Sequence, residues 1–141
     1  MTGGSGSIPA SSQARWAIGL ASLAVWAVAV PWLAASIGLE LDVATRLEIA
    51  DHVIPGVVML VGAAILAVRG GPPGSVVWIG AGAVAFLTGL WITATHVPLV
   101  PAALEGVAPW GAALLHLSAG PPILGLGLWM LVRSQLYGSA P

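Results

Sequence analysis

GAALLHLSAGPPILGLGLWMLV, residues Gly111 to Val132, decides the fold. The stretch is apolar almost throughout, and a bilayer span needs about 20 mainly apolar residues. One histidine, His116, lies well inside it. An ionisable side chain at such a depth is costly without a partner, which makes it a functional-site candidate. Gly120, Ile123 and Gly127 continue the face of His116 at helical spacing. Pro121 and Pro122 lack the N–H groups that the carbonyls of Leu117 and Ser118 would otherwise receive. In lipid those carbonyls need neighbouring helices, side chains or water, so the segment is expected to face protein over much of its surface.

Composition extends this reading to the whole chain. Of 141 residues, 58% are hydrophobic and 6% charged, and the mean hydropathy is +1.00. Soluble domains carry about 25% charged residues, so this chain lacks the charge to cover a water-facing surface. The net charge is −1, and no basic run suits nucleic acid. Cysteine is absent, which excludes disulfides, thiol catalysis and iron–sulfur ligation by the chain itself.

Four spans are expected, at about 16–37, 52–68, 76–95 and 109–132, preceded by a Gly/Ser-rich flexible tail over 1–14 and followed by a short tail over 138–141. The first span has a rival reading as a signal peptide, because Ala34, Ala35 and Ser36 are small; its apolar run is longer than the usual h-region of about 7–15 residues. Residues 38–51 (GLELDVATRLEIAD) hold Glu40, Asp42, Arg46, Glu48 and Asp51 and read as a short interfacial helix. RGGPPGS, 69–75, is a tight turn. Ala81, Ala85 and Gly89 form a small-residue stripe for close helix packing. His96 to Ala108, with Pro98, Pro101 and Glu105, reads as an ordered loop.

Arg15, Arg69 and Arg133 fall on one side of a four-span chain and Arg46 on the other. The positive-inside rule then puts both termini in the cytoplasm of a cell-membrane protein. All five acids fall on the outer side, with His52 and His96 at that boundary. His116 is expected about 10–12 Å below it, at the helical rise. Trp16, Trp32, Trp78, Trp91, Trp110 and Trp129 fall near span ends, as an aromatic belt requires, whereas Trp26 falls mid-span, where it is expected to fill core or else to pack against a partner or pigment.

The halves of the chain can be superposed. Aligning His52 with His116 also matches Gly56 with Gly120, Leu60 with Leu124 and Val68 with Val132, and Trp26 stands to the first half as Trp91 does to the second. Each half is helix, outer loop, helix. The expected fold is an all-α integral membrane four-helix bundle made of two repeated helix pairs.

The pattern of a tryptophan helix, Pro-Trp near its end, a polar loop and a polar dipeptide opening a helix with an early glycine resembles the SPW-repeat membrane proteins. Trp26, Pro31, Trp32, Asp51, His52 and Gly56 carry the resemblance. Val30 stands where the name-giving serine would be, and the second copy has Pro98 followed by Leu99. The resemblance implies a small bacterial membrane protein built from helix pairs, and it implies no activity.

Three readings of the polar residues compete. His52 and His116, on equivalent positions, could ligate haem b axially, with Gly56 and Gly120 giving the macrocycle room. His52, His96 and His116, with Asp51 and Glu105, could hold copper or zinc at the outer face. Otherwise His52 and His96 are interfacial residues wetted by headgroup water, and His116 bonds a carbonyl freed by proline. No serine has a base and an orienting acid in range, and no carboxylate lies mid-span, so neither hydrolysis nor proton transport is expected. The composition thus points to a non-catalytic accessory or structural subunit of a larger membrane complex, in contact with the bilayer and with other membrane subunits or copies of itself. The alternative is a cofactor protein built on the histidines.

Overall fold

The computed structural model describes residues 10–38, 47 and 49–138. Among the described residues the elements follow one another as α1 Ala10–Ser36, α2 Ile54–Arg69, α3 Val76–His96, α4 Leu99–Leu104, α5 Trp110–Leu117 and α6 Gly120–Gly138, with a π-helical turn, Ile49–Val53, leading into α2. They make four stretches long and apolar enough to cross a membrane: Gln13–Ser36, Ala50–Arg69, Val76–Leu104 and Trp110–Tyr137. The all-α four-helix bundle expected from the sequence is what the chain forms, and the described residues include no strand.

The bundle is apolar outside as well as in. Ile18, Val25, Val57, Val61, Ile65, Leu87, Leu90, Leu114 and Leu128 are all exposed. Water would penalise such a surface and a lipid bilayer would not. The interior is filled by small and medium side chains, among them Leu20, Ala24, Ala27, Met59, Ala63, Leu66, Ala81, Ala85, Ile92, Ile123 and Met130. Because lipid supplies no hydrophobic drive between helices, association depends on close backbone approach. That approach is tightest between α3 and α6. A Cβ on Gly89 would run into the backbone of Leu124, and one on Gly127 into the backbone of Phe86. The stripe Ala81, Ala85, Gly89 is buried as its spacing required.

The turn over 69–75 is built as its composition dictates. Gly70, Gly71 and Gly74 take positive φ, the Gly70 N–H caps α2 on the Leu66 carbonyl, and the Ser75 hydroxyl caps α3 by accepting from Trp78 N at 3.2 Å. At this end Arg133 lies over the rings of Trp16 and Tyr137, 5.8 and 5.3 Å from their centroids. Trp16 meets Trp78 edge-on at 5.5 Å.

Several boundaries differ from the sequence reading. Helix α1 begins at Ala10, inside the stretch read as tail. The third span runs past His96 through α4 to Leu104, where a loop was expected. Pro98 sits at the N-cap of α4 and Pro101 in its first turn, positions where a missing N–H costs little, so the prolines redirect the helix without ending the span. The fourth span reaches Tyr137 and is broken at Ser118–Ala119, just ahead of Pro121 and Pro122. Most of the expected interfacial helix, with Glu40, Asp42, Arg46 and Glu48, lies outside the described residues.

Two tryptophans exchange their expected roles. Trp78, in the first turn of α3, is 1% exposed and packed inside the bundle, not on its outer surface, and its indole N–H donates to the Met130 carbonyl at 2.9 Å. Trp26 is 38% exposed, not core filling, and its indole N–H donates to the Ser118 hydroxyl at 2.9 Å. Ser118 in turn donates to the Leu115 carbonyl at 2.6 Å, so α1 is tied to the break between α5 and α6.

Candidate metal centre

Three elements deliver one histidine each to a common point. His52 lies in the π-helical turn ahead of α2. In an α-helix the Asp51 carbonyl would receive the N–H of residue 55, but residue 55 is proline and has none. The wider π turn accommodates that loss, and such turns recur at functional sites. His96 is the last residue of α3, and His116 lies in the final turn of α5. All three are buried, with exposures of 0%, 5% and 1% for His52, His96 and His116.

The imidazoles touch one another. Ring centroids are 4.5 Å apart for His52–His96, 5.5 Å for His52–His116 and 5.3 Å for His96–His116. One potential ligand atom from each lies within 4.8 Å of those of the other two. His52 Nε2 and His96 Nε2 are 3.1 Å apart. Two nitrogens each about 2.0–2.1 Å from one tetrahedral ion would stand about 3.3 Å apart, so the ring spacing is already close to that of two ligands sharing a metal.

The other ring nitrogens define the tautomers. His116 Nδ1 lies 2.9 Å from the Ala112 carbonyl. His96 Nδ1 lies 2.9 Å from the Ile92 carbonyl, with the Thr95 hydroxyl also at 2.9 Å. A backbone carbonyl can only accept, so each Nδ1 carries the proton and each Nε2 presents its lone pair. A histidine that ligates a metal usually donates its second N–H to a carbonyl or carboxylate in this way, which fixes the ring and raises its basicity. Without a metal, the short His52–His96 contact is an N–H···N bond donated by His52 Nε2.

The five residues proposed as a metal set do not all meet. Among the described residues the cluster stops at the three histidines. Asp51 is half-buried next to His52, and adjacent residues on a helical turn point in different directions. Glu105 is exposed, beyond the end of α4. His116 is not set apart from the other two: its ring lies against both, and the third apolar stretch continues past His96 to Leu104. Nor is any of the three wetted at an interface: all are buried, and His116 bonds the carbonyl of its own preceding turn, not one freed by proline.

A haem between His52 and His116 does not fit. The third imidazole lies against both rings, in the space a macrocycle would require. Gly56 and Gly120 offer no slot either. A Cβ on Gly56 would meet the Val28 side chain and the Ala24 carbonyl, and one on Gly120 would meet the Thr93 hydroxyl and backbone. Both glycines serve helix packing.

The three-way convergence was open to sequence reasoning only as a list of histidines, since their separations along the chain carry no ligand spacing. The Trp26–Ser118 tie and the support of His96 by Thr95 were missed, and nothing in the one-dimensional pattern marks either. No family model, no curated protein and no solved structure matches the chain.

Proposed function

We propose that this chain is a multi-pass membrane protein that holds one transition-metal ion, copper or zinc, on the Nε2 atoms of His52, His96 and His116. One observation carries the reading: three buried imidazoles converge, and two of them have their Nδ1 protons committed to backbone carbonyls. Imidazole suits copper and zinc among the common metals. Three protein ligands leave a coordination position for a further group, the arrangement of reactive rather than purely structural zinc sites.

The contacts of the two glycines support the paired-helix plan that underlies the site. Gly56 packs on Val28 and Gly120 on Thr93. Val28 and Thr93 each lie two residues after a tryptophan, Trp26 and Trp91, and each glycine lies four residues after a histidine. His52 and His116 are then equivalent ligands of two related helix pairs, and His96 is the ligand that only one pair supplies. The resemblance to SPW-repeat proteins contributes this plan and nothing about the metal.

An accessory role in a larger membrane complex is compatible with the site and has its own support. A Cβ at Gly19, Gly80 or Gly125 would meet nothing within 4 Å, so small-residue faces remain beyond those the bundle uses.

The test is elemental analysis of the full chain purified gently from its native membrane, with co-purifying subunits identified. One copper or zinc per chain, lost in His116→Ala with the bundle intact by circular dichroism, is the expected result. A metal-free sample that takes up neither ion on reconstitution would overturn the metal reading and leave the accessory one.

A further inference from the structure

Resting on the metal reading above, we infer that Thr95 is a positioning residue of the site, holding the His96 ring with its Nε2 turned toward the other imidazoles. The Thr95 hydroxyl oxygen lies 2.9 Å from His96 Nδ1, which also lies 2.9 Å from the Ile92 carbonyl. The carbonyl can only accept, so Nδ1 carries the proton. A hydroxyl oxygen that close to an N–H is a second acceptor, and its own proton goes elsewhere. The Trp91 carbonyl, four residues back in α3 and 3.0 Å away, takes it. The Ile92 carbonyl is farther from the hydroxyl, at 3.2 Å, and already receives the imidazole N–H. A short chain of bonds results, from the His96 Nδ1–H to the Thr95 hydroxyl and on to the Trp91 carbonyl, in which each bond polarises the next.

The place of His96 explains why this support matters. It is the last residue of α3, and Pro98 then redirects the chain. Helix ends fray, yet this ring is 5% exposed and stacks on His116 with only 20° between the planes. A bond to one acceptor leaves a ring free to swing about that bond, and a second acceptor from a neighbouring residue narrows the swing. Two oxygens on Nδ1–H also push electron density toward Nε2, the atom that would meet an ion. Partners of this kind, one step removed from the metal, commonly change its affinity by about 10–100-fold when lost. Thr93 supplies the internal comparison. Its hydroxyl makes the same backbone bond, to the Gly89 carbonyl at 2.6 Å, and packs on Gly120. Loss of a backbone bond is therefore common to both threonines, and support of an imidazole is the part specific to Thr95.

The experiment measures metal affinity on the full-length protein in lipid nanodiscs, in wild type, Thr95→Val, Thr95→Ser and Thr93→Val. Zinc is supplied as its chloride against a zinc chelator, and copper(I) anaerobically with ascorbate against a cuprous chelator. The ion that wild type binds more tightly is carried through the series. Thr95→Val keeps the shape of the side chain and removes the hydroxyl, so affinity should fall about 10–100-fold. Thr95→Ser restores the hydroxyl and should stay within about threefold of wild type, as should Thr93→Val. Thermal unfolding of the metal-free proteins should differ little across the set, because the change acts on the ring and not on the bundle. Unchanged affinity in Thr95→Val, no rescue by Thr95→Ser, or an equal loss in Thr93→Val would each overturn the positioning role and leave the metal site standing. Thr95→Ala is run beside the valine variant, and failure of both to fold would make Thr95 a structural residue and overturn the inference as well. Wild type that binds neither ion would instead overturn the metal reading on which this one rests.

Discussion

His52 Nε2 and His96 Nε2 stand 3.1 Å apart although 44 residues separate them in the chain. One comes from a π-helical turn and the other from the last residue of a 21-residue helix. At that distance they are either a hydrogen-bonded pair or two ligands of one ion, and stability tells the two states apart. Metal-free protein should show a coupling between His52→Ala and His96→Ala of about 0.5–3 kcal/mol in a double-mutant cycle. Metal at 100 times its dissociation constant should add about 2.7 kcal/mol to wild type. Neither single variant should gain that increment. Unfolding in detergent, with and without chelator, measures both quantities; an equal increment in wild type and His96→Ala would mean that the ion sits elsewhere.

Trp78 and Trp26 make the same kind of bond in different surroundings. Trp78 is fully buried and donates to the Met130 carbonyl, whereas Trp26 is partly exposed and donates to Ser118. Trp78→Phe removes a donor and leaves space in the core, so it should cost about 1–3 kcal/mol. Trp26→Phe should cost about 0.6 kcal/mol, the usual value for a hydrogen bond between membrane helices. Thermal unfolding of the two variants in one detergent gives the ordering, and a larger loss for Trp26→Phe would contradict it.

The existence and number of the long apolar helices were legible because apolar runs of bilayer length with so few charges are most simply satisfied as helices, whose backbone groups bond within the segment. Glycine packing was legible where the spacing was strict, as at Ala81, Ala85 and Gly89. The depth of His96 was not. Pro98 and Pro101 read as the end of a helix, yet proline is tolerated at a helix start, and a new helix begins at Leu99. That single misreading put His96 at the boundary and hid its meeting with His116. Hydropathy also failed to separate Trp78 from Trp26, since position along a span does not report which face a residue occupies. The triad depends on the angular placement of three elements, which no local pattern encodes.

Glycine positions divide into two classes that substitution should separate. Gly89→Leu and Gly127→Leu force α3 and α6 apart against backbone that cannot yield, and should cost about 3 kcal/mol or more or prevent folding. Gly80→Ala and Gly125→Ala meet open space and remove helix-interior glycine, so they should leave stability unchanged or raise it by up to about 1 kcal/mol. Fluorescence-detected size-exclusion chromatography after a heating series ranks all four. If Gly80→Ala or Gly125→Ala also removes a co-purifying subunit, that face is a docking surface.

Orientation is open to a direct test because the chain contains no cysteine, so a single introduced thiol reports one site without background. Pro72 is exposed in the turn between α2 and α3, and Glu105 is exposed just beyond α4. Successive ends of a helical bundle place these two residues on opposite sides of a membrane. With Arg15, Arg69 and Arg133 at the Pro72 end, the positive-inside rule puts that end in the cytoplasm. Glu105→Cys should therefore react with a membrane-impermeant maleimide on intact cells, and Pro72→Cys only after permeabilisation. The reverse pattern would invert the protein and place the triad near the cytoplasmic face, where any ion would come from the intracellular pool. Labelling of both on intact cells would break the four-span topology itself.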